Sequence, residues 1–338
     1  MVLLRRVVVV GLLVACRPDL SLRQSFVDGP RILAVRSVPA EAETKQPVSF
    51  EALIVDPSGK APPFAVDWAM CIARKPLAEL EPVNPICTAR TGDFLIPLGQ
   101  GPTALGTIPS EACRLFGPEV PATKPGEPFG RPTDSDPTGG YSLPIRVILA
   151  ADRGDEAVVG TTRLSCGVAG AASGDATDFR QRYHVNSNPL IAALKVNGIS
   201  TMGDTNVAAG PVRLEVDWPT CPDSDACGDG VCGPDETETS CAADCASGAV
   251  KGCGGAERYV YYDAEAFHNV TRRESMRISW FATSGAFAVD VSGREEVDLS
   301  TSAANTLTLS SAQKVLVWVV LRDARGGAVW QQLVLNVQ

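Results

Sequence analysis

The chain has 338 residues, of which 45% are hydrophobic and 20% charged, and this length favours two domains that each bury a core. The formal net charge of -9 argues against nucleic acid as a partner, because binding phosphates requires a basic patch and none is visible. Most of the 11 cysteines have a spacing that favours disulfides over a metal site, which predicts an oxidising compartment.

Residues 1–16 have the parts of a signal sequence. Arg5 and Arg6 supply the positive charge, Val7–Leu13 the short apolar core and Ala15 the small residue before cleavage. The apolar stretch is too short to span a bilayer in a mature protein. Its end, Leu-Val-Ala-Cys16, resembles a bacterial lipobox, which implies that Cys16 is acylated and becomes the mature N-terminus. The alternative is an ordinary signal peptide that carries a cysteine.

Two further observations bear on the anchor. Without Cys16 the chain keeps 10 cysteines, an even number suited to a secreted protein with disulfides. Lipid on Cys16 carries enough methylenes for stable membrane attachment, and residues 17–29 would then form a short tether. Arg17 is not the aspartate associated with retention in the inner membrane, so the outer membrane is the expected location.

Residues 30–185 are predicted to form the first domain. Three strands are expected at its start, then irregular chain from Cys71 to Tyr141, then a hairpin. Within the irregular part, Gly117–Pro144 is rich in proline and glycine and is expected to be a surface loop. Residues 167–176 are expected to be a linker, and Phe179–Val185 a last strand or a tether. The predicted strands are Pro30–Val38, Pro47–Pro57, Phe64–Cys71, Ile145–Ala151 and Ala157–Cys166.

Residues 186–338 are predicted to form a second domain that repeats the same strand pattern. Trp280 takes the place of Trp68, and the closing turn at residues 323–327 parallels the turn at 152–155. A cysteine-rich insertion, residues 219–256, interrupts this copy between its second and third strands. The predicted strands are Pro189–Gly198, Pro211–Pro219, Arg258–Asp263, Met276–Ala282, Lys314–Arg322 and Ala328–Val337. About seven short strands with a tryptophan on the third predict an all-β fold of two tandem immunoglobulin-like sandwiches, with both tryptophans between the sheets.

The insertion has too few large apolar residues to bury a core, so disulfide bonds or a metal ion must stabilise its fold. Zinc is disfavoured because the gaps between its cysteines run 6, 5, 9, 4 and 8, without two close pairs. Five disulfides are expected, each within its own domain. For Cys71, Cys87, Cys113 and Cys166 three pairings are open, and we favour Cys71 with Cys87 and Cys113 with Cys166. The six cysteines of the insertion, which also close on one another, are Cys221, Cys227, Cys232, Cys241, Cys245 and Cys253.

Several motifs together resemble the tandem-domain lipoproteins of myxobacteria: the lipobox, the Trp-Ala-Met-Cys strand at 68–71, the hairpin at 321–330 and Cys-Gly-Asp-Gly-x-Cys at 227–232. The run from Cys227 to Cys245 is similar to a small disulfide repeat of secreted bacterial proteins, and distantly to the calcium-binding cysteine repeats of Notch-type receptors. The resemblance implies an extracytoplasmic location and a binding or scaffolding role. It implies no particular activity.

Acidic residues crowd the insertion, and calcium prefers six to eight oxygen ligands. A loose calcium site formed by Asp229, Glu236 and Asp244 is therefore one hypothesis. The alternative is a solvated acidic loop. A true EF-hand is disfavoured because Cys227 occupies a ligand position of that motif.

Catalysis is disfavoured, because His184 and His268 each lack a second histidine nearby and the nucleophile and nucleotide-binding motifs are absent. The favoured function is a lipid-anchored cell-envelope or surface protein that acts as a non-catalytic binding or structural module, with a protein or glycan as ligand. The other hypothesis is a carbohydrate-binding or adhesive lipoprotein. In that case Tyr259, Tyr261 and Tyr262 would be an exposed platform, unless they simply cover the sheet.

Overall fold

The computed structural model describes residues 24–59, 66–73, 83–117, 140–150, 155–168, 170–222, 227–233, 236–246, 252–263 and 265–338. The predicted signal sequence, Cys16 and most of the predicted Gly117–Pro144 loop lie outside these residues. Two β-sandwiches follow one another along the chain, so the predicted all-β, immunoglobulin-like class is confirmed. None of the described helices is long and apolar enough to cross a bilayer.

The first sandwich packs a three-stranded sheet, in the order β1-β3-β6, against a five-stranded sheet, in the order β2-β8-β7-β4-β5. Its strands are β1 Arg31–Val38, β2 Glu41–Ala42, β3 Pro47–Val55, β4 Val66–Cys71, β5 Leu95–Gln100, β6 Thr103–Thr107, β7 Gly140–Leu149 and β8 Glu156–Ser165. A 3-10 helix, Pro85–Thr88, and helix α1, Ala112–Phe116, lie in the connections.

The second sandwich repeats this arrangement with sheets in the orders β10-β9-β12-β18-β16 and β11-β20-β19-β15-β17. The hairpin of the last two strands pairs with the tryptophan strand in both copies, as β8-β7-β4 and as β20-β19-β15. The strands of this half are β9 Ala193–Val196, β10 Ile199–Ser200, β11 Asp204–Val207, β12 Gly210–Asp217, β13 Arg258–Asp263, β14 His268–Arg273, β15 Met276–Ala282, β16 Ala286–Phe287, β17 Val291–Arg294, β18 Ser302–Leu309, β19 Gln313–Asp323 and β20 Ala328–Val337. Two helices, α2 Ser173–Arg182 and α3 Ala242–Cys245, complete the described elements.

Each core is built around its tryptophan, as predicted. Trp68 and Trp280 are both 0% exposed and lie in the apolar clusters of the first and second sandwich. The indole N–H of Trp68 donates to the Gly101 carbonyl at 2.8 Å, and that of Trp280 donates to Ser292 Oγ at 2.9 Å. Because both indoles keep a hydrogen bond, their large apolar rings are buried without an unpaired donor.

The structure corrects three expectations. Residues 95–107, expected to be irregular, form strands β5 and β6. Phe179–Val185 is not a strand, because helix α2 covers residues 173–182 and only the end of that stretch, from residue 183, belongs to the connection between the sandwiches. Asp175 lies in the first turn of the helix and Arg180 in its last, which suits the helix dipole. The predicted strand Arg258–Asp263 pairs only with β14, in a two-stranded sheet outside both sandwiches. The interruption between β12 and β15 therefore extends past residue 256.

The end of the expected tether is part of the folded body. Val27 donates its N–H to the Ala282 carbonyl at 2.9 Å, and Ala282 donates to the Ser25 carbonyl at 2.8 Å. Val27 is buried in a third apolar cluster, which joins β1 and β3 of the first sandwich to β19 of the second. Leu33 and Trp318 are among its members. The two sandwiches therefore share a small core, and the N-terminal segment is packed into it.

Candidate functional site at the stapled module

The stapled module, defined here as residues 221–253, is held by three disulfides: Cys221–Cys253, Cys227–Cys241 and Cys232–Cys245. The first domain has the favoured pairing, Cys71–Cys87 and Cys113–Cys166. The ten cysteines thus form five bridges, and none of them joins the two domains. The predicted partition of the disulfides is confirmed.

The structure brings together two of the three expected calcium ligands. Asp244 is buried and accepts hydrogen bonds from the backbone N–H groups of Gly228 and Gly230. Glu236 is buried and accepts from the backbone N–H of Gly233 at 3.0 Å. A carboxylate oxygen of each lies within 4.8 Å of the other and of the Cys227–Cys241 sulfurs.

Asp229 lies apart from this pair and is exposed. Its Oδ1 accepts from the Val231 N–H at 2.9 Å, which closes a local turn of the kind that aspartate side chains commonly form. The expectation of three converging carboxylates is therefore wrong for Asp229. The sequence of an acidic loop without a regular strand or helix does not distinguish an inward carboxylate from an outward one.

A charged hub joins the module to both sandwiches, and sequence reasoning missed it entirely. We define the hub as Glu41, Arg163, Tyr183, Asn186, Glu257, Glu274, Asp323 and Arg325. At its centre, Arg325 is 4% exposed. Its guanidinium donates to Glu274 Oε1 at 2.6 Å, to Glu257 Oε2 at 2.8 Å and to the His184 carbonyl at 2.9 Å. It also lies 4.8 Å from the centroid of the Tyr259 ring, within cation-π distance.

The side of the hub nearest the first sandwich is organised by Glu41 of β2. Its carboxylate accepts from the Tyr183 hydroxyl at 2.8 Å and from the Asn186 backbone N–H at 3.0 Å. Arg163 of β8 forms an ion pair with the same oxygen at 3.3 Å. Residues 183–186, which connect the sandwiches, are therefore held by the first sandwich on one side and by Arg325 on the other.

Asp323 shapes the turn that carries Arg325. Its Oδ1 accepts from Asn186 Nδ2 at 3.1 Å and from the backbone N–H groups of Arg325 and Gly327 at 2.9 and 2.8 Å. A Cβ atom at position 327 would lie 2.1 Å from Asp323 Oδ2, so this close approach requires glycine. The turn thus points Arg325 inward, towards the insertion.

Burial dominates the electrostatics of the hub. It raises the pKa of Glu274 well above its usual range, although the Arg325 charge opposes that shift. Burial likewise raises the pKa of Asp323. Burial would lower the pKa of Arg325, but Glu274 and other nearby anionic groups outweigh that effect and raise it well above its usual value. Arg325 therefore stays charged and remains the cation to which the buried carboxylates bind.

A small junction cleft lies between the module and the hub. His184 lies in its wall, where Nε2 donates to the Gly233 carbonyl at 3.0 Å and lies 3.3 Å from Cys232 Sγ. Cys232 and Cys245 form a disulfide, so they offer no thiolate to a metal ion. The lining residues are His184, Val185, Cys221, Pro222, Asp229, Val231, Cys232, Gly233, Gly252, Cys253, Glu257, Arg258 and Arg325.

The three tyrosines do not form an exposed platform. Tyr259 lies against Arg325, and Tyr262 is buried in a small cluster with Phe179 of α2 and Val260. Tyr261 is half-buried beneath the guanidinium of Arg272, 4.7 Å from its ring centroid. The alternative, that these residues cover the sheet, is the correct one. The other histidine, His268, is exposed, and its Nδ1 lies 3.1 Å from the Ala266 carbonyl.

No protein-family model and no curated protein sequence matches the chain. Among solved structures, the D0-D1 domain of intimin is 11% identical with a TM-score of 0.20, and the match covers 90% of this chain and 98% of that one. The fibronectin(III)-like modules of Clostridium thermocellum CbhA are 12% identical with a TM-score of 0.21, covering 91% and 94%. The Yersinia pseudotuberculosis adhesin InvE is 10% identical with a TM-score of 0.21, covering 90% and 58%. TM-scores this low carry no argument about function, and the fold assignment depends on the observed sheets and cores.

Proposed function

We propose that this chain is a lipid-anchored, non-catalytic module of the bacterial cell envelope, in which two joined sandwiches present the stapled module to a protein or glycan. The observation that carries the proposal is the hub. Buried charged groups from β2, from Glu257 and Glu274 and from the β19–β20 turn meet there, together with polar groups of residues 183–186. The small shared apolar core and the buried ion pairs restrict the motion of the two sandwiches relative to each other. The Cys253 N–H at the end of the module donates to Glu257 of the hub at 3.0 Å, so the module has a fixed direction relative to both sandwiches.

The anchor follows from the sequence, and the folded body limits its reach. If Cys16 is acylated, residues 17–24 separate it from Ser25, which is docked on β15. Eight residues span at most about 28 Å when fully extended. The sandwiches are then held close to the membrane, with the outer membrane as the proposed location.

Lipid attachment is tested on protein purified from membranes. We expect mass spectrometry to find acyl chains on Cys16 and the protein to partition into detergent, whereas Cys16→Ser should accumulate as precursor or be released. A wild-type protein that is soluble and carries no lipid would contradict the anchor.

Ligand binding is tested with the intact chain and a variant in which residues 220–253 are replaced by a Gly-Ser linker. A glycan array distinguishes an adhesive or carbohydrate-binding role from protein binding, which is measured by capture from envelope extracts with the linker variant as control. Equal binding by both forms would show that the module is not the binding surface.

A further inference from the structure

Two buried carboxylates in the stapled module lack a positive partner. Glu236 is 3% exposed and Asp244 is 4% exposed, and their oxygens lie within 4.8 Å of each other. Across the described part of the chain, no lysine or arginine forms an ion pair with either of them. Two carboxylates this close, away from water, repel each other when both carry charge, and a cation between them removes that repulsion.

Among the described residues, both oxygens of Asp244 have a hydrogen-bond donor, but only one oxygen of Glu236 has one. Both Asp244 oxygens accept from backbone N–H groups, at Gly228 and Gly230, so each oxygen has a donor. Glu236 Oε2 accepts from Gly233, but Glu236 Oε1 is buried without a hydrogen-bond partner. A buried acceptor without a partner is costly, so this oxygen calls for a donor or a cation.

We propose that Glu236 and Asp244 bind one hard divalent cation of the calcium type. The neighbouring sulfurs belong to the Cys227–Cys241 disulfide and are not thiolates, which removes the soft ligands that zinc or copper would use. Carboxylate oxygens are the ligands that calcium prefers, and each carboxylate oxygen that accepts one N–H bond keeps a second lone pair. Backbone carbonyls and water would complete the six to eight oxygens.

The disulfides make this pair a preformed site. Cys227–Cys241 lies against it, and Cys232–Cys245 ties the Gly233 turn to helix α3, which carries Asp244. Holding both carboxylates before the ion arrives reduces the entropic cost of binding. The bound ion would in turn hold the module's loops together. This proposal is independent of the lipid anchor.

The test titrates the full oxidised chain with calcium by calorimetry and follows the reduction of its disulfides by a thiol. We expect binding, and at least a tenfold slower reduction of Cys227–Cys241 in calcium than in chelator. Glu236→Gln should weaken calcium binding at least tenfold, whereas Asp229→Asn, in the exposed carboxylate of the same loop, should leave it unchanged.

Equal losses in the two variants would assign the ion to the acidic surface and overturn the buried site. Disulfide mapping verifies that Glu236→Gln is correctly folded. If this variant is misfolded, calcium binding and the reduction rates of the wild-type protein still test the site. Absence of calorimetric binding, or equal reduction rates in calcium and chelator, would show that the pair binds no such cation.

Discussion

Removing the guanidinium of Arg325 should destabilise the whole tandem more than any surface substitution. In Arg325→Met the side chain keeps its apolar stem but loses the charge that Glu257 and Glu274 share. Those two carboxylate side chains are 10% and 1% exposed, so water cannot replace the lost partner. The His184 carbonyl also loses a donor.

The expected loss is about 3–5 kcal/mol in the free energy of unfolding, the usual cost of leaving a buried charge without its partner. The matched control is Arg277→Met. Arg277 lies 3.8 Å from Glu295, with side chains 66% and 76% exposed, so its loss should stay below about 1 kcal/mol. Because an apolar replacement of a whole buried pair is often neutral, Arg325→Met combined with Glu274→Leu should recover part of the loss.

The assay is denaturant unfolding followed by the fluorescence of the five tryptophans, which include Trp68 in the first core and Trp280 in the second. A coupled tandem should show both cores shifting together in Arg325→Met. A loss below about 1 kcal/mol, no larger than in the Arg277→Met control, would refute the view that the hub stabilises the tandem.

Three further outcomes are expected. Burial raises the folded-state pKa of Glu274, so its protonation favours folding fully below the unfolded pKa, and that contribution is lost as pH rises through the folded pKa. Glu274→Gln should therefore lose less stability than the wild type as pH rises above the unfolded pKa of about 4.3, and an unchanged profile would contradict this. Val27→Ala should lower the free energy of unfolding, measured by chemical denaturation, by about 2 kcal/mol, because two buried methyl groups leave the shared core. The control Val38→Ala, at an exposed site, should lower it by less than about 0.5 kcal/mol, and equal losses would contradict the docking of the N-terminal segment. Replacing residues 220–253 with a Gly-Ser linker should leave the second sandwich folded, because none of the described residues in this range belongs to its apolar core. Near-ultraviolet circular dichroism measures this, and loss of the signal would show that the module is required for folding.

Local patterns in the sequence were sufficient to predict many of the strands, the repeated tryptophan strand and closing hairpin, and the partition of the disulfides between the domains. Strand alternation and turn residues mark β1, β3, β15 and the closing hairpin, because a half-buried strand alternates whatever it packs against. The cysteines of each domain are close enough in the chain for their partition to follow from counting. The β5–β6 strands and helix α2 escaped prediction because their apolar residues are few and their patterns weak.

Only the tertiary structure decided which charges are buried. Arg325 meets Glu257 and Glu274 across 68 and 51 residues of chain, and nothing in their local sequences distinguishes them from surface charges. The same holds for Glu236 and Asp229, one buried and one exposed within a single acidic loop. Burial of a charge depends on what the rest of the chain places around it, and packing between distant segments has no period that a sequence displays.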